Sequence, residues 1–112
     1  MENNQEPEPL VDYSLIKRLI IGIGEVSEIT GVPTRQIRYW EEKKIITSSS
    51  DGEGTTRRFD YFNVKKILLA KQFLDEGFTL NAAAKKADKK IQQLHHEFLK
   101  LESASANKYE SN

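Results

Sequence analysis

Two arginines and a tyrosine recur at helical spacing in the middle of the chain. Arg35, Arg38 and Tyr39 lie at positions i, i+3 and i+4, with Glu42 at i+7, so a helix would carry all four on one outward face. Trp40 falls on the opposite side of such a helix, and we assign it to the core rather than to base stacking. Arginine donates hydrogen bonds in a planar fork that matches phosphate oxygens and base edges in a major groove. This face therefore predicts contact with a nucleic acid.

Residues suited to catalysis or metal binding are scarce by comparison. The chain has no cysteine, which excludes disulfides, thiolate metal ligands and cysteine nucleophiles. His95 and His96 are adjacent, so on a helix they point about 100° apart and do not share a metal ion. The common hydrolase motifs and a phosphate-binding glycine loop are also missing. We therefore expect neither an enzyme nor a bound cofactor or metal.

The charge of the 112-residue chain is balanced in total but uneven along its length. Its 17 basic and 17 acidic side chains give a net charge of zero. Residues 1–12 carry four acidic and no basic side chains, whereas residues 33–90 carry 13 basic against 8 acidic ones. This asymmetry is typical of nucleic-acid binders. The longest apolar run, residues 19–23, is far shorter than the ~20 residues that span a bilayer, so we expect one small, soluble, cytoplasmic domain.

A helix-turn-helix outline surrounds the arginine face. A first helix is predicted over residues 25–30, with the apolar Val26 and Ile29 on one face. Gly31 follows, where a helix commonly ends in the left-handed conformation, and a second helix is predicted over residues 34–43.

A polar, glycine-interrupted stretch after the second helix predicts a β-hairpin. Asp51-Gly52 is a strong turn signal between two short strands. Arg57 and Arg58 then stand on the returning strand. A basic hairpin beside a helix-turn-helix acts as a wing on the adjacent DNA backbone or minor groove.

Two further helices complete the predicted domain. Asp60 is a good N-cap for a third helix over residues 61–76, and Thr79 is a cap for a fourth over residues 80–88. The third helix is apolar over a wide arc, which predicts the central core element. Its two apolar faces are Val64, Ile67, Leu68 and Leu74, and Phe62, Leu69 and Phe73.

The chain ends are predicted to lie outside this domain, which we place at residues 12–88. Residues 1–11 read as a disordered acidic tail, and residues 103–112 as a flexible one. Residues 10–19 fit a short helix or the start of an apolar strand, and both alternatives stay open. Residues 89–102 predict a dimerisation helix, assisted by the same helix of a second subunit or by residues 10–19. Its seam residues are Ile91, Leu94, Phe98 and Leu101. The alternative is that these apolar residues fold back on their own domain as a fifth core helix.

The order and spacing of these residues resemble the MerR family of bacterial transcription regulators. The similarity runs over about residues 20–88, and three stretches carry it. They are IGEVSEITGVPTRQIRYWE (residues 23–41), TRRFDYFNV (residues 56–64) and EGFTL (residues 76–80).

The resemblance implies a mainly α-helical, winged helix-turn-helix protein that binds double-stranded promoter DNA. It also implies a homodimer on a palindromic site, with RNA polymerase as a further partner. By position, Arg35, Arg38 and Tyr39 correspond to residues of the family that touch bases or phosphates, and Arg57 to the wing arginine. Arg58 is added from its charge and place in the chain. The expected DNA-binding set is Thr34, Arg35, Gln36, Arg38, Tyr39, Arg57 and Arg58.

The chain departs from the family pattern in two respects. Lys44 stands where the family usually has glycine after the second helix, so a non-glycine residue is expected in the left-handed conformation. The effector-sensing C-terminal region is essentially absent, which resembles the nitrogen-control branch of the family (GlnR and TnrA).

Two other functions are compatible with the same small winged fold. A phage-type excisionase would bind DNA without an effector domain, and a neighbouring integrase gene would identify it. A protein-interaction adaptor would have glutamate or apolar residues in place of Arg35, Arg38 and Arg57. This chain has arginine at all three positions, which is unfavourable for the adaptor hypothesis.

Overall fold

The structure is a computed structural model, and it describes residues 10–49 and 57–110, of which 105–110 are described through their backbone only. The fold class predicted from the sequence is confirmed: the chain is mostly helical, with a small antiparallel sheet and a long C-terminal helix. Its elements in chain order are α1 (Tyr13–Arg18), β1 (Ile20–Gly22), α2 (Ile23–Thr30), α3 (Thr34–Glu42), β2 (Arg58–Asp60), α4 (Tyr61–Asp75) and α5 (Leu80–Glu110).

The ambiguous segment before the helix-turn-helix contains both a helix and a strand. Asp12 begins α1 by accepting a hydrogen bond from the Leu15 N–H at 3.0 Å. Strand β1 follows and pairs antiparallel with β2, so that Ile21 lies opposite Phe59 and Gly22 opposite Arg58. This pairing brings the start of the domain against the strand that leaves the wing.

The helix-turn-helix consists of α2 and α3, as the sequence predicts. Gly31 has φ 78° and donates its N–H to the Ser27 carbonyl at 2.8 Å, which ends α2. Val32 is buried in the turn, and Pro33 is the N-cap of α3. Because Ile37 and Trp40 are both buried, α3 has a fixed rotation that leaves its opposite face to solvent.

The core forms around Trp40 and α4. Asp60 caps α4 by accepting the Asn63 N–H at 2.9 Å, and Gly77 follows the helix with φ 104°. The buried cluster contains Val26, Val32, Ile37, Trp40, Ile46, Phe59, Ile67, Ala70 and Ala87.

Two residues of the predicted apolar faces are exposed. Ile29 is 60% exposed, and the inner side of α2 is completed by Thr30, four residues after Val26. Thr30 is buried because its hydroxyl donates to the Val26 carbonyl at 2.8 Å and accepts the Val32 N–H at 3.2 Å. Leu68 on α4 is also partly exposed, because it lines an open groove with Ile16 of α1 and Ile29 of α2.

The C-terminal part of the chain is one helix rather than a fourth helix and a separate dimerisation helix. Thr79 caps it, accepting the Ala82 N–H at 3.2 Å, and α5 then continues to Glu110. It passes the predicted break near residue 88 and the predicted tail from residue 103. The physical reason is that residues 80–110 contain neither glycine nor proline and are rich in strong helix formers.

Part of the predicted dimer seam is covered within the same chain. Ile91 and Phe98 are buried in a second cluster with Phe62, and Leu94 packs against this cluster half-buried. Helix α1 supplies the cover: the Tyr13 ring meets the Phe98 ring edge-on at 5.3 Å. Lys17 of the same helix pairs with Glu102 at 3.0 Å. Leu101 remains 42% exposed.

Candidate nucleic-acid interface

The outward face of α3 presents most of the predicted DNA-contacting side chains together. Arg35, Gln36, Arg38 and Tyr39 are exposed, and Thr34 at the first position of the helix is half-buried. Pro33, Arg35, Gln36 and Tyr39 line a shallow open depression. The face therefore combines donor groups, an aromatic ring and a recess on a helix whose rotation the core holds fixed.

A left-handed turn at Lys44 ends this helix. Lys44 has φ 63°, and it donates its N–H to the Glu41 carbonyl at 3.0 Å. Ile45 donates to the Trp40 carbonyl at 2.9 Å, which completes a Schellman motif. The expectation that a non-glycine residue takes this conformation is confirmed. The turn returns Ile45 and Ile46 to the core while the lysine side chain stays outside.

The base of the predicted wing lies beside α3. Ser49 donates its N–H to the Arg58 carbonyl at 2.8 Å, which pairs the outgoing and returning limbs antiparallel. The Arg57 carbonyl accepts the Ile23 N–H at 3.1 Å, anchoring the returning limb to the start of α2. Arg57 and Arg58 are both exposed. The predicted Asp51-Gly52 turn lies outside the described residues.

The two wing arginines differ in their surroundings. Arg57 pairs through Nη1 with the Glu41 carboxylate of α3, at 3.4 Å from Oε2. Within the described residues, Arg58 makes no ion pair, and neither do Arg35 and Arg38 of α3. Among the described residues these three side chains have no acidic partner, whereas Arg57 has an internal counter-charge.

Two lysines of α4 have acidic partners. Lys66 pairs with Asp88 at 3.1 Å, joining α4 to α5, and Lys71 pairs with Asp75 at 3.1 Å. Their charges are compensated inside the domain, whereas Arg35 and Arg38 on α3 and Arg58 at the wing base have no ion pair among the described residues.

The sequence analysis did not single out three residues that make contacts around α3 and the base of the wing. Glu41 was not singled out, because its partners Ser48 and Arg57 are 7 and 16 residues away. Asn63 was also missed: it accepts the Thr47 N–H at 2.9 Å and so holds the start of the outgoing limb on α4. Lys43 was missed as well, because its position in the sequence does not distinguish it from the other lysines. Its Nζ lies 5.6 Å from the centre of the Tyr39 ring.

His95, which the sequence analysis considered as a metal ligand, makes a packing contact. The His95 ring stacks on the Phe62 ring at 3.9 Å, which is a packing contact on the second cluster. Over the described ranges, no group of three His, Asp or Glu side chains is arranged to hold a metal ion. No helix in the same ranges is long and apolar enough to cross a membrane.

Comparison with known families gives one match that covers most of this architecture. The model described as MerR HTH family regulatory protein matches residues 22–90. These residues run from the end of β1 through the helix-turn-helix, the wing and α4 into the first part of α5.

Three curated proteins illustrate the similarity. The chain is 34% identical over 86 residues to the HTH-type transcriptional regulator TnrA of Bacillus subtilis, covering 77% of each chain. It is 38% identical over 58 residues to GlnR of Bacillus anthracis, covering 52% of this chain and 44% of that protein. It is 30% identical over 61 residues to CueR of Yersinia pestis, covering 54% of this chain and 44% of that protein.

Proposed function

The chain belongs to the MerR HTH family of regulatory proteins, and on that premise we propose that it regulates transcription by binding promoter DNA. The named relatives are HTH-type transcriptional regulators, which favours this function over an excisionase or an adaptor. The observation that carries the proposal is the outward face of α3, where Arg35, Arg38 and Tyr39 are exposed opposite a buried Trp40.

In the proposed complex, α3 enters the major groove and the wing lies along the neighbouring backbone. Arg35 stands in the first turn of α3, where a recognition helix reaches base edges. Arg38 and Tyr39 lie one turn further on, and the wing base adds Arg57 and Arg58. Phosphate contacts set the register of the protein, and contacts to base edges supply the sequence preference. Such a protein works in the cytoplasm of a bacterium, where the promoter and RNA polymerase are found.

We further propose that the protein binds a palindromic site as a homodimer. Because Ile91 and Phe98 are covered within one chain, the seam on α5 has to use its remaining apolar surface. Leu101 and the 59%-exposed Leu99 lie near the far end of a helix that is roughly 46 Å long. A second uncovered surface is the groove between α1, α2 and α4, which supports participation of the N-terminal segment. It is lined by Ile16, Leu19, Ile21, Ile29, Val64 and Leu68.

Selection of bound DNA tests the proposed function. The purified full chain is mixed with random duplex fragments, and the retained fragments are sequenced. We expect an enriched motif with twofold symmetry, and sedimentation of the complex with two chains per duplex. An Arg35→Ala, Arg38→Ala double variant, which leaves the core untouched, should lose the enrichment. Recovery of no duplex at low salt would refute DNA binding, and an asymmetric motif bound by one chain would refute the homodimer.

A further inference from the structure

A single carboxylate on the recognition helix contacts both limbs of the wing. The Glu41 side chain is only 17% exposed, at the side of α3 that faces the wing base. Its Oε2 accepts a hydrogen bond from the Ser48 hydroxyl on the outgoing limb. The same oxygen accepts from the Arg57 guanidinium, at 3.4 Å, on the returning limb. One atom of α3 therefore ties together two segments that are nine residues apart in the chain.

The backbone pairing beside this carboxylate closes the base of the wing. Ser49, directly after Ser48, donates its N–H to the carbonyl of Arg58, directly after Arg57, at 2.8 Å. The side-chain contacts to Glu41 and this backbone hydrogen bond thus involve neighbouring residues on both limbs. A change at Glu41 is expected to loosen all of them together.

A carboxylate at position 41 is unfavourable for DNA binding unless it holds other side chains in position. It lies on the helix proposed to enter the groove, where a carboxylate repels phosphates and offsets the charge of Arg57. Glu42, the next residue on the same helix, is exposed and forms no side-chain hydrogen bond within the described residues. The two neighbouring glutamates therefore have the same charge and different connections.

We propose that Glu41 is a positioning residue for the wing. By holding Ser48 and Arg57 against α3, it places the wing arginine beside the recognition helix before DNA arrives. A cation that is already in place loses less conformational freedom on binding, and the helix and wing dock as one unit. This inference rests on the proposed DNA-binding function, and part of its test does not involve DNA.

The first measurement is amide hydrogen exchange in the free protein. Glu41→Ala should speed exchange of the Ser49 amide on the order of tenfold, because the hydrogen bond to Arg58 then opens more often. The amide of Ile67 in α4 should be unchanged, which shows that the fold is retained. Glu41→Gln, whose amide oxygen can accept from both partners, should restore slow exchange. Glu42→Ala is the matched control and should leave the Ser49 amide as in the wild type. Equal Ser49 exchange in the wild type and Glu41→Ala would overturn the proposal.

The second measurement is a double-mutant cycle on DNA affinity, with a duplex recovered in the selection above and a scrambled duplex of equal length. Glu41→Ala should weaken binding of the selected duplex on the order of tenfold, and Glu41→Gln should recover most of that loss. In an Arg57→Ala, Ser48→Ala background the same Glu41→Ala change should alter affinity less than twofold.

The outcomes of the cycle separate the inference from its premise. An equal loss in both backgrounds, or tighter binding by Glu41→Ala, would overturn the positioning role of Glu41 while leaving DNA binding intact. Failure of the wild type to bind any duplex would instead refute the proposed function, and the exchange measurement would still decide whether Glu41 holds the wing base.

Discussion

At the scale of single residues, Lys44 has an unfavourable backbone conformation at the end of α3. Its φ of 63° places a side chain in the left-handed region, which glycine adopts without steric penalty. The two hydrogen bonds of the Schellman motif hold it there, since they direct Ile45 and Ile46 back to the core. Lysine is therefore less favourable than glycine for stability at this position.

Replacing this residue by glycine is expected to stabilise the protein. Lys44→Gly should raise the free energy of unfolding by about 0.5–1 kcal/mol, because the relief of left-handed strain exceeds the added freedom of the unfolded chain. Urea denaturation measures the change. Lys43→Gly is the control: Lys43 has φ −81°, so glycine there should be neutral or destabilising. A loss of stability in Lys44→Gly would contradict the assignment of strain.

Two arginines are expected to contribute to DNA binding in different ways. Arg35→Ala should weaken the selected duplex more than a scrambled one, by about 1–3 kcal/mol if its guanidinium contacts a base in bidentate fashion. Arg57→Ala should weaken both duplexes by similar amounts, since the wing is proposed to lie on the backbone. Titrations of both variants with both duplexes test this division. Identical discrimination in the two variants would show that Arg35 does not read a base.

At the scale of elements, α5 performs two tasks that the sequence analysis assigned to separate helices. Its first part packs against α4 through Ala83 and Ala87, whose small side chains allow a close approach. Its later part buries Ile91 and Phe98 beneath α1. The helix is continuous because nothing in residues 80–110 interrupts it, so the boundary near residue 88 has no structural counterpart.

Phe98 and Leu101 belong to the same predicted seam, but Phe98 is buried and Leu101 is exposed. Phe98→Ala should lower the free energy of unfolding by about 3 kcal/mol, since its ring packs against Phe62 and Tyr13 inside one chain. Leu101→Ala, at a position 42% exposed, should cost less than about 1 kcal/mol in a monomer. Urea denaturation at two protein concentrations measures both. A cost for Leu101→Ala that grows with concentration would indicate that Leu101 is covered by a second chain, and a small cost for Phe98→Ala would contradict its place in the core.

At the scale of the whole molecule, net charge is a poor guide to the proposed ligand. The chain is neutral overall, yet Arg35, Arg38 and Arg58, which make no ion pair among the described residues, lie on α3 and at the wing base, while Lys66 and Lys71 pair internally. A protein that is neutral overall still attracts DNA at a face that carries such arginines. Its affinity should therefore depend strongly on salt.

The salt dependence has an expected magnitude. If a dimer neutralises roughly 6–10 phosphates, the logarithm of the association constant should fall with the logarithm of salt concentration at about −0.9 per phosphate. Titrations of the selected duplex between low and physiological salt give this slope. Arg58→Ala in both subunits should make it shallower by about two. A slope near zero would refute the electrostatic docking proposed for the α3 face and the wing.

Much of the local architecture was predictable from the sequence because it depends on neighbouring residues. Gly31 ends α2 and Asp60 caps α4 through contacts within four residues, and the period of Ile37 and Trp40 sets the rotation of α3. The left-handed conformation of Lys44 was expected from the resemblance instead, since the MerR family usually has glycine at this position. The exposed arginine face is a consequence of the same period.

Other features required the tertiary structure because they join residues distant in the chain. The sequence allowed Ile29 to face the core, but the buried hydroxyl of Thr30 takes that place and leaves Ile29 in a groove beside α1 and α4. It left two covers open for the apolar residues between 91 and 101, a second subunit or residues 10–19, and only the folded chain shows α1 packed on Ile91 and Phe98.

The amino-acid pattern was therefore sufficient for α2, α3 and α4, for the caps at Gly31, Asp60 and Thr79, and for the side of α3 that carries the arginines, since each depends on residues within one or two helical turns. Only the tertiary structure decided which apolar stripe is free, how β1 pairs with β2, and that Glu41 joins both limbs of the wing. Burial and ion pairing depend on which distant surfaces meet. A sequence pattern shows which residues share one face of a helix, but it does not show which other element packs on that face.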